Sequence, residues 1–257
     1  MSERTLTVNA LAAKTWYWLK MNDSSLRVET PAALPYALEG AWSGAADIED
    51  CATGMGADLD RLLAEGQPNH LAHTAKAGEP ERIRLHLQPK EGSSALSVAI
   101  RAEDGANLTV VMDCEQPAGA EAVTAVVQTR LSLGKGAKIH LVQLWLQEPQ
   151  ETVLSDVGAI CDEGADFALS QLYLGADKVF TGAEIALVGK KSQTELRQTY
   201  QAKGQQRYDF NDNVRHIGRK TVCRIDVDGV LEDSASKLFR GTIDLQKGAV
   251  GADGAEY

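Results

Sequence analysis

From Ile83 onward the chain alternates between apolar and polar residues. Ile83, Leu85 and Leu87 are separated by Arg84 and His86, and Leu96, Val98 and Ile100 repeat the pattern. A period of two puts one set of side chains on a buried face and the other toward solvent, which predicts strands. The alternation persists to the end of the chain without a helical interval long enough for a βαβ crossover, which argues against a doubly wound α/β fold. Before residue 90 the pattern is irregular. Residues 58–66 are the exception: Leu59, Leu62 and Leu63 share one helical face, and Gly66 is a C-cap residue. Thr15-Trp16-Tyr17-Trp18-Leu19-Lys20 reads as a short strand or turn that anchors the N-terminus. The polar, Gly/Pro-punctuated stretch from Gly66 to Glu81 reads as a surface loop.

A repeat lies within the alternating region. The form Gly-Ala-x-Φ-x-Φ, with Φ apolar, begins at Gly105, Gly136, Gly164 and Gly182, at intervals of 31, 28 and 18 residues. Two copies match further: residues 138–146 (KIHLVQLWL) align with 166–174 (DFALSQLYL). In both, alternation runs for four residues, slips by one, and resumes as Leu-aromatic-Leu, which predicts a corner or bulge. Glycine allows a sharp turn, the small alanine fits beneath it, and the next two apolar residues point inward. A coil of this kind cannot bury its inner face alone and must stack on its neighbours. A β-sandwich or barrel would also alternate, but the recurring turn favours stacking. The expected fold is mainly β: a right-handed parallel β-helix (β-solenoid) over residues 91–257, preceded by an irregular N-terminal region, 1–90, with a short helix.

Composition narrows the chemistry. The 257 residues carry 26 Lys and Arg against 36 Asp and Glu, a formal net charge of −10, which argues against nucleic-acid or anionic-membrane partners. Aromatics are 5% and glycines number 23, a composition suited to turns and small side chains. Cys51, Cys114, Cys161 and Cys223 are far apart with no Cys-x-x-Cys pair, which excludes a zinc ribbon. The first residues carry no apolar signal segment and no stretch reaches the length of a membrane span, so a cytoplasmic location is expected.

No phosphate-binding loop, Gly-x-Ser-x-Gly elbow or His-Glu-x-x-His motif is present. His70 and His73 fall in the predicted loop as a solvated pair, and His86 and His140 fall on outer strand faces. His216 precedes Cys223 by seven residues, and such a pair on adjacent coils could hold iron. Asp226, Asp228, Glu232 and Asp233 cluster around a predicted turn at Gly229. Paired acids of this kind carry glycoside hydrolysis or lysis in other β-helices, the alternative reading of the chain, although turn chemistry also accounts for them.

The segment from Tyr208 to Tyr257 resembles the core of the SufB/SufD family: Tyr208-Asp209-Phe210, His216, Thr221-Val222-Cys223, Gly229-Val230-Leu231, Ser236, Phe239-Arg240-Gly241, Ile243 and Gly248-Ala249. The surroundings of Thr15–Lys20 also resemble short SufD-like members. The resemblance implies a non-catalytic scaffold in iron–sulfur cluster assembly, a SufD-like chain that pairs through its β-helix with a SufB/SufD-type subunit and associates with the SufC ATPase. It implies no tightly bound cofactor, with iron or a transient iron–sulfur cluster in the full complex. The family's late Cys and His and its SufC-docking C-terminal helices have no counterpart here, so a C-terminally incomplete chain is expected. Cys223 stands where many relatives carry Ser or Thr, so no ligand role transfers to it. His216 matches a position often occupied by His. These two residues are the metal-ligand candidates, and no catalytic residue is assigned.

Overall fold

A computed structural model describes residues 3–14, 17–46, 48, 51–115, 122–146 and 151–257. The chain begins with an antiparallel pair, β1 (Glu3–Val8) and β2 (Ser24–Glu29). Short strands β3 (Ala32–Ala33) and β4 (Tyr36–Glu39) follow, then α1 (Ala57–Glu65), β5 (Asn69–Ala75) and β6 (Glu81–Leu87).

From β7 (Gly92–Ala102) the chain winds regularly. It passes through β8 (Asn107–Glu115), β9 (Val123–Leu133), β10 (Lys138–Leu146), β11 (Glu151–Cys161) and β12 (Asp166–Leu174). It continues through β13 (Lys178–Leu187), β14 (Gln193–Ala202), β15 (Arg207–His216), β16 (Val222–Leu231), β17 (Ser236–Leu245) and β18 (Asp253–Glu256).

Even-numbered strands β4 to β18 make one eight-stranded sheet, sheet I. Odd-numbered strands from β7 to β17, with β3 and β5 beside β7, make sheet II. All neighbours from β6 onward are parallel and two apart in sequence, so each coil contributes one strand to each sheet. This is the expected β-solenoid, of about six turns. Asn107, Lys138, Asp166, Gln193, Val222 and Asp253 stack in one column, 27 to 31 residues apart.

The lumen holds the main apolar core, including Leu108, Val110, Ile139, Leu141, Trp145, Phe167, Tyr173, Tyr208 and Phe210. Ala106, Ala137 and Ala165 are fully buried beneath Gly105, Gly136 and Gly164, whose φ values of 73°, 62° and 66° are left-handed. The predicted turn therefore recurs, and its amides form a ladder: Lys138 N–H donates to Ala106 O and Asp166 N–H to Ala137 O. The alignment of 138–146 with 166–174 is reproduced residue for residue as the register of β10 on β12.

Two details of the repeat differ from expectation. Gly182-Ala183 is no turn but lies inside β13. The alternation of β10 never slips: Ile139, Leu141, Gln143 and Trp145 all face inward, while Leu144 and Leu146 face out. An inward glutamine and outward leucines gave the false impression of a bulge.

The N-terminal segment packs on the outer face of sheet II. Leu6, Val8, Leu26 and Val28 of the β1–β2 pair join Met55 and the predicted α1 face, Leu59, Leu62 and Leu63. Together they cover Ala95, Val126, Leu154 and Phe180. Gly66 closes α1 by donating its N–H to Leu62 O at 3.0 Å, although its φ of −79° is not left-handed. Residues 66–81 are not simply a loop, since β5 lies within them. Tyr17–Leu19 form a 3-10 turn on which Trp18 is 98% exposed, so Trp18 anchors nothing; Thr15 and Trp16 lie outside the described residues. No helix among the described residues is long and apolar enough to cross a membrane.

Candidate functional site

Both metal-ligand candidates are buried at the last coils. His216 ends β15, and its Nδ1 lies 2.7 Å from Thr221 Oγ1. Burial lowers the His216 pKa against the opposing pull of Asp253 and Asp244, which favours the neutral ring. Its Nε2 has no hydrogen-bond partner among the described residues and lies 3.5 Å from where a Cβ at Gly254 would sit. Cys223 faces inward on β16, in register between Thr194 and Gly254. Burial pushes its thiol up to about 12, with Asp212 and Glu256 adding to the rise. Burial therefore favours the protonated thiol. Among the described residues, no three His, Cys, Asp or Glu side chains form a set that could hold a metal ion.

The sequence reading missed the neighbour of these residues. Asp212 of β15 is fully buried in the lumen. Its Oδ1 accepts from Gln198 Nε2 at 3.3 Å, and its Oδ2 has no partner among the described residues. Burial, reinforced by the Glu256 carboxylate, raises its pKa to about 7. Glu256 fits there because residue 241, in register with Asp212, is glycine: a Cβ at Gly241 would lie 2.1 Å from Glu256 Oε2. The signal was available: the phase of Tyr208 and Phe210 continues inward through Asp212, Val214 and His216.

A polar row extends from Asp212 along the lumen. Gln143, Gln171 and Gln198 stack on successive rungs of sheet I. Gln198 Nε2 donates to Gln171 Oε1 at 2.9 Å, and Gln171 Nε2 donates to Gln143 Oε1 at 2.7 Å. Ser155, across the lumen on β11, donates its hydroxyl to Gln143 Oε1 at 2.8 Å. The Tyr173 hydroxyl is within hydrogen-bonding reach of Thr181 and Ser155, and among the described residues Trp145 Nε1 has no partner. Buried polar groups are normally paired, and the stacked glutamines meet that demand from rung to rung. Asp212 at the end of the row can exchange a proton near neutrality.

The remaining predicted residues are dispersed. His86 and His140 sit on the outer face of sheet I as expected. His86 Nδ1 lies 2.6 Å from Asp113 Oδ2, and His140 Nε2 lies 2.9 Å from Ser170 Oγ. His70 is exposed, but His73 is not its solvated companion. It is 1% exposed on β5, accepts from Ser43 N–H at 3.2 Å, and lies 3.2 Å from Glu81. Three residues apart on a strand, the two rings face opposite ways.

The four acids near Gly229 do not converge on one another. Asp226 is 3.8 Å from Arg197, Glu232 accepts from Gln201 and Asp233 accepts from Gly204 N–H. Gly229 itself is no turn but a strand residue of β16, where a Cβ would meet the Tyr200 ring at 2.5 Å.

Comparison with known proteins adds one finding. The family model described as SUF system FeS cluster assembly, SufBD core domain, matches residues 86–257, the span from the end of β6 through the final coil. No curated protein matches the chain.

Proposed function

The chain belongs to the SufBD core family of the SUF iron–sulfur cluster assembly system, and from that premise we propose that it is a non-catalytic scaffold subunit of the SufD type. In this reading it pairs through its solenoid with a SufB/SufD-type subunit and acts beside the SufC ATPase, with iron and sulfur as cargo. The observation that carries the reading is the coincidence of the matched residues with the solenoid coils. The outermost described rung supports the pairing, because Phe239 and Ile243 are only part-buried against the core and are suited to further contact. Coexpression of the full chain with a SufC-type ATPase and a SufB-type subunit tests it. Co-elution of the three is expected, and absence of any stable complex with either partner would overturn the reading.

A further inference from the structure

The turns that lead from sheet II to sheet I stack into a ridge along the solenoid, and charge is sorted along it. From β7 onward, the first three such turns carry Glu103 and Asp104, then Lys135, then Asp162 and Glu163. The next three carry Lys190 and Lys191, then Arg219 and Lys220, then Lys247. All five of these last cations are exposed, and none makes an ion pair among the described residues. The concentration stands out in a chain of net charge −10.

A second observation is conformational. Lys191 and Lys220 have φ of 63° and 57°, at the column position filled by Gly105, Gly136 and Gly164 on earlier rungs and by Gly251 on the next. A left-handed backbone is unfavourable for lysine, and the repeat offers glycine as the relaxed solution. Two consecutive rungs thus hold a cation where the fold prefers none. Such an outlier points to function rather than to folding.

We propose that this ridge, centred on Lys191 and Lys220, docks an acidic amphipathic segment of a partner protein. The neighbouring turn amides are already used: Lys191 N–H donates to Arg219 O, Lys220 N–H to Val250 O and Ser192 N–H to Gly189 O. The amides of the two left-handed lysines are therefore committed to the ladder and cannot cradle a phosphate. Four of the five cations are lysines, point charges without the planar fork that grips a phosphate on two sides. The three turns contain no aromatic residue on which a base could stack. Val188 and Val250, 40% and 63% exposed, lie among the cations and offer apolar contact. Carboxylates with interspersed apolar side chains complement that mixture, and the ladder spacing of about 4.8 Å places successive cations within reach of one such segment. The proposal stands on the ridge alone and does not require the assembly role.

The test is binding of a fluorescein-labelled peptide of glutamates with a leucine at every fourth position, measured by anisotropy on the full chain. Phosphatidylserine vesicles and oligouridylate serve as competing probes. The expected result is salt-sensitive peptide binding that weakens about fivefold or more in Lys191→Gly/Lys220→Gly, while the thermal midpoint stays level or rises. Unchanged peptide binding in the double variant overturns the proposal. So does a lower thermal midpoint, which would make the lysines structural, and so does preferential binding of the vesicles or the oligonucleotide.

Discussion

Replacement of Arg240 by methionine is expected to destabilise the fold severely, although the residue lies far in sequence from the segment it holds. Its side chain is 1% exposed and that of its partner Asp209 is fully buried. Arg240 donates from Nη1 to Asp209 Oδ1 at 2.6 Å, from Nε to Met21 O at 2.5 Å, and from Nη2 to Ser24 Oγ at 3.0 Å. Asp209 also accepts from Asn9 Nδ2 at 2.7 Å and from the Ser24 hydroxyl. One guanidinium therefore ties the β1–β2 pair to the outer face of β15 and β17. Methionine preserves much of the volume but leaves the Asp209 carboxylate buried beside neutral donors alone. Loss of one member of a buried pair costs about 3–5 kcal/mol, a large share of a typical stability of about 5–15 kcal/mol. Urea unfolding followed by circular dichroism measures the loss, and limited proteolysis between β1 and β2 reports release of the segment. Asp209→Asn/Arg240→Met removes both charges and is expected to recover part of the deficit. A loss under about 1 kcal/mol, or a double variant as unstable as the single, would refute the claim that the charge pair is the clamp.

Two further outcomes follow from the same geometry. Asp212 titrates near 7 in the fold and near 3.9 unfolded, so the native state holds its proton more tightly and wild-type stability declines as pH rises from about 4 through 7. Asp212→Asn should therefore gain about 2–3 kcal/mol more at pH 8 than at pH 5, and equal urea-midpoint shifts at both pH values would exclude Asp212 as the titrating group. At Gly158 a Cβ would lie 2.2 Å from Ala52 O, where the N-terminal segment crosses sheet II. Gly158→Ala is expected to cost about 1–3 kcal/mol and to expose residues 51–55 to protease, whereas a wild-type cleavage pattern would mean that the crossing can shift freely.

The solenoid was legible because its rule is local. A left-handed Gly, a small residue beneath it and two inward apolar side chains recur within a window of six residues, and that window is enough to place β8, β10 and β12 in register. Where the rule fails in sequence it is obeyed in chemistry. Lys191-Ser192 and Lys220-Thr221 take the places of Gly-Ala, and Ser192 Oγ donates to Gly189 O at 2.8 Å to steady the turn. A search for Gly-Ala alone passes over both rungs and picks up Gly182-Ala183, whose glycine has another origin. It leaves room for Gly54 and Met55, since a Cβ there would be 2.6 Å from the Gly54 carbonyl carbon and from the Met55 nitrogen.

The N-terminal segment and the lumen were opaque for different reasons. The segment is held by contacts whose partners are remote: Met55 N–H reaches Asp156 at a separation of 101 residues, and Arg240 reaches Met21 at 219. Nothing within a short window marks Asp156 as the acceptor, or foretells that burial there raises its pKa to about 6. The lumen was hidden by an assumption about polarity. Counting glutamine as an outward residue creates a slip at Gln143 and Gln171; counting it by phase puts both in one buried row, hydrogen-bonded to each other at 2.7 Å. The same phase rule places Asp212 inside, in line with Tyr208 and Phe210. In a stacked fold the phase of a strand is fixed by its neighbours above and below, so a polar residue in the inward phase is carried inside whatever its own preference. Desolvation then works against its charge, and only the partners on adjacent rungs can offset it. Among the described residues, Gln198 does so for one oxygen of Asp212 and nothing does for the other. A carboxyl half-satisfied in this way is held near neutrality by the stacking itself.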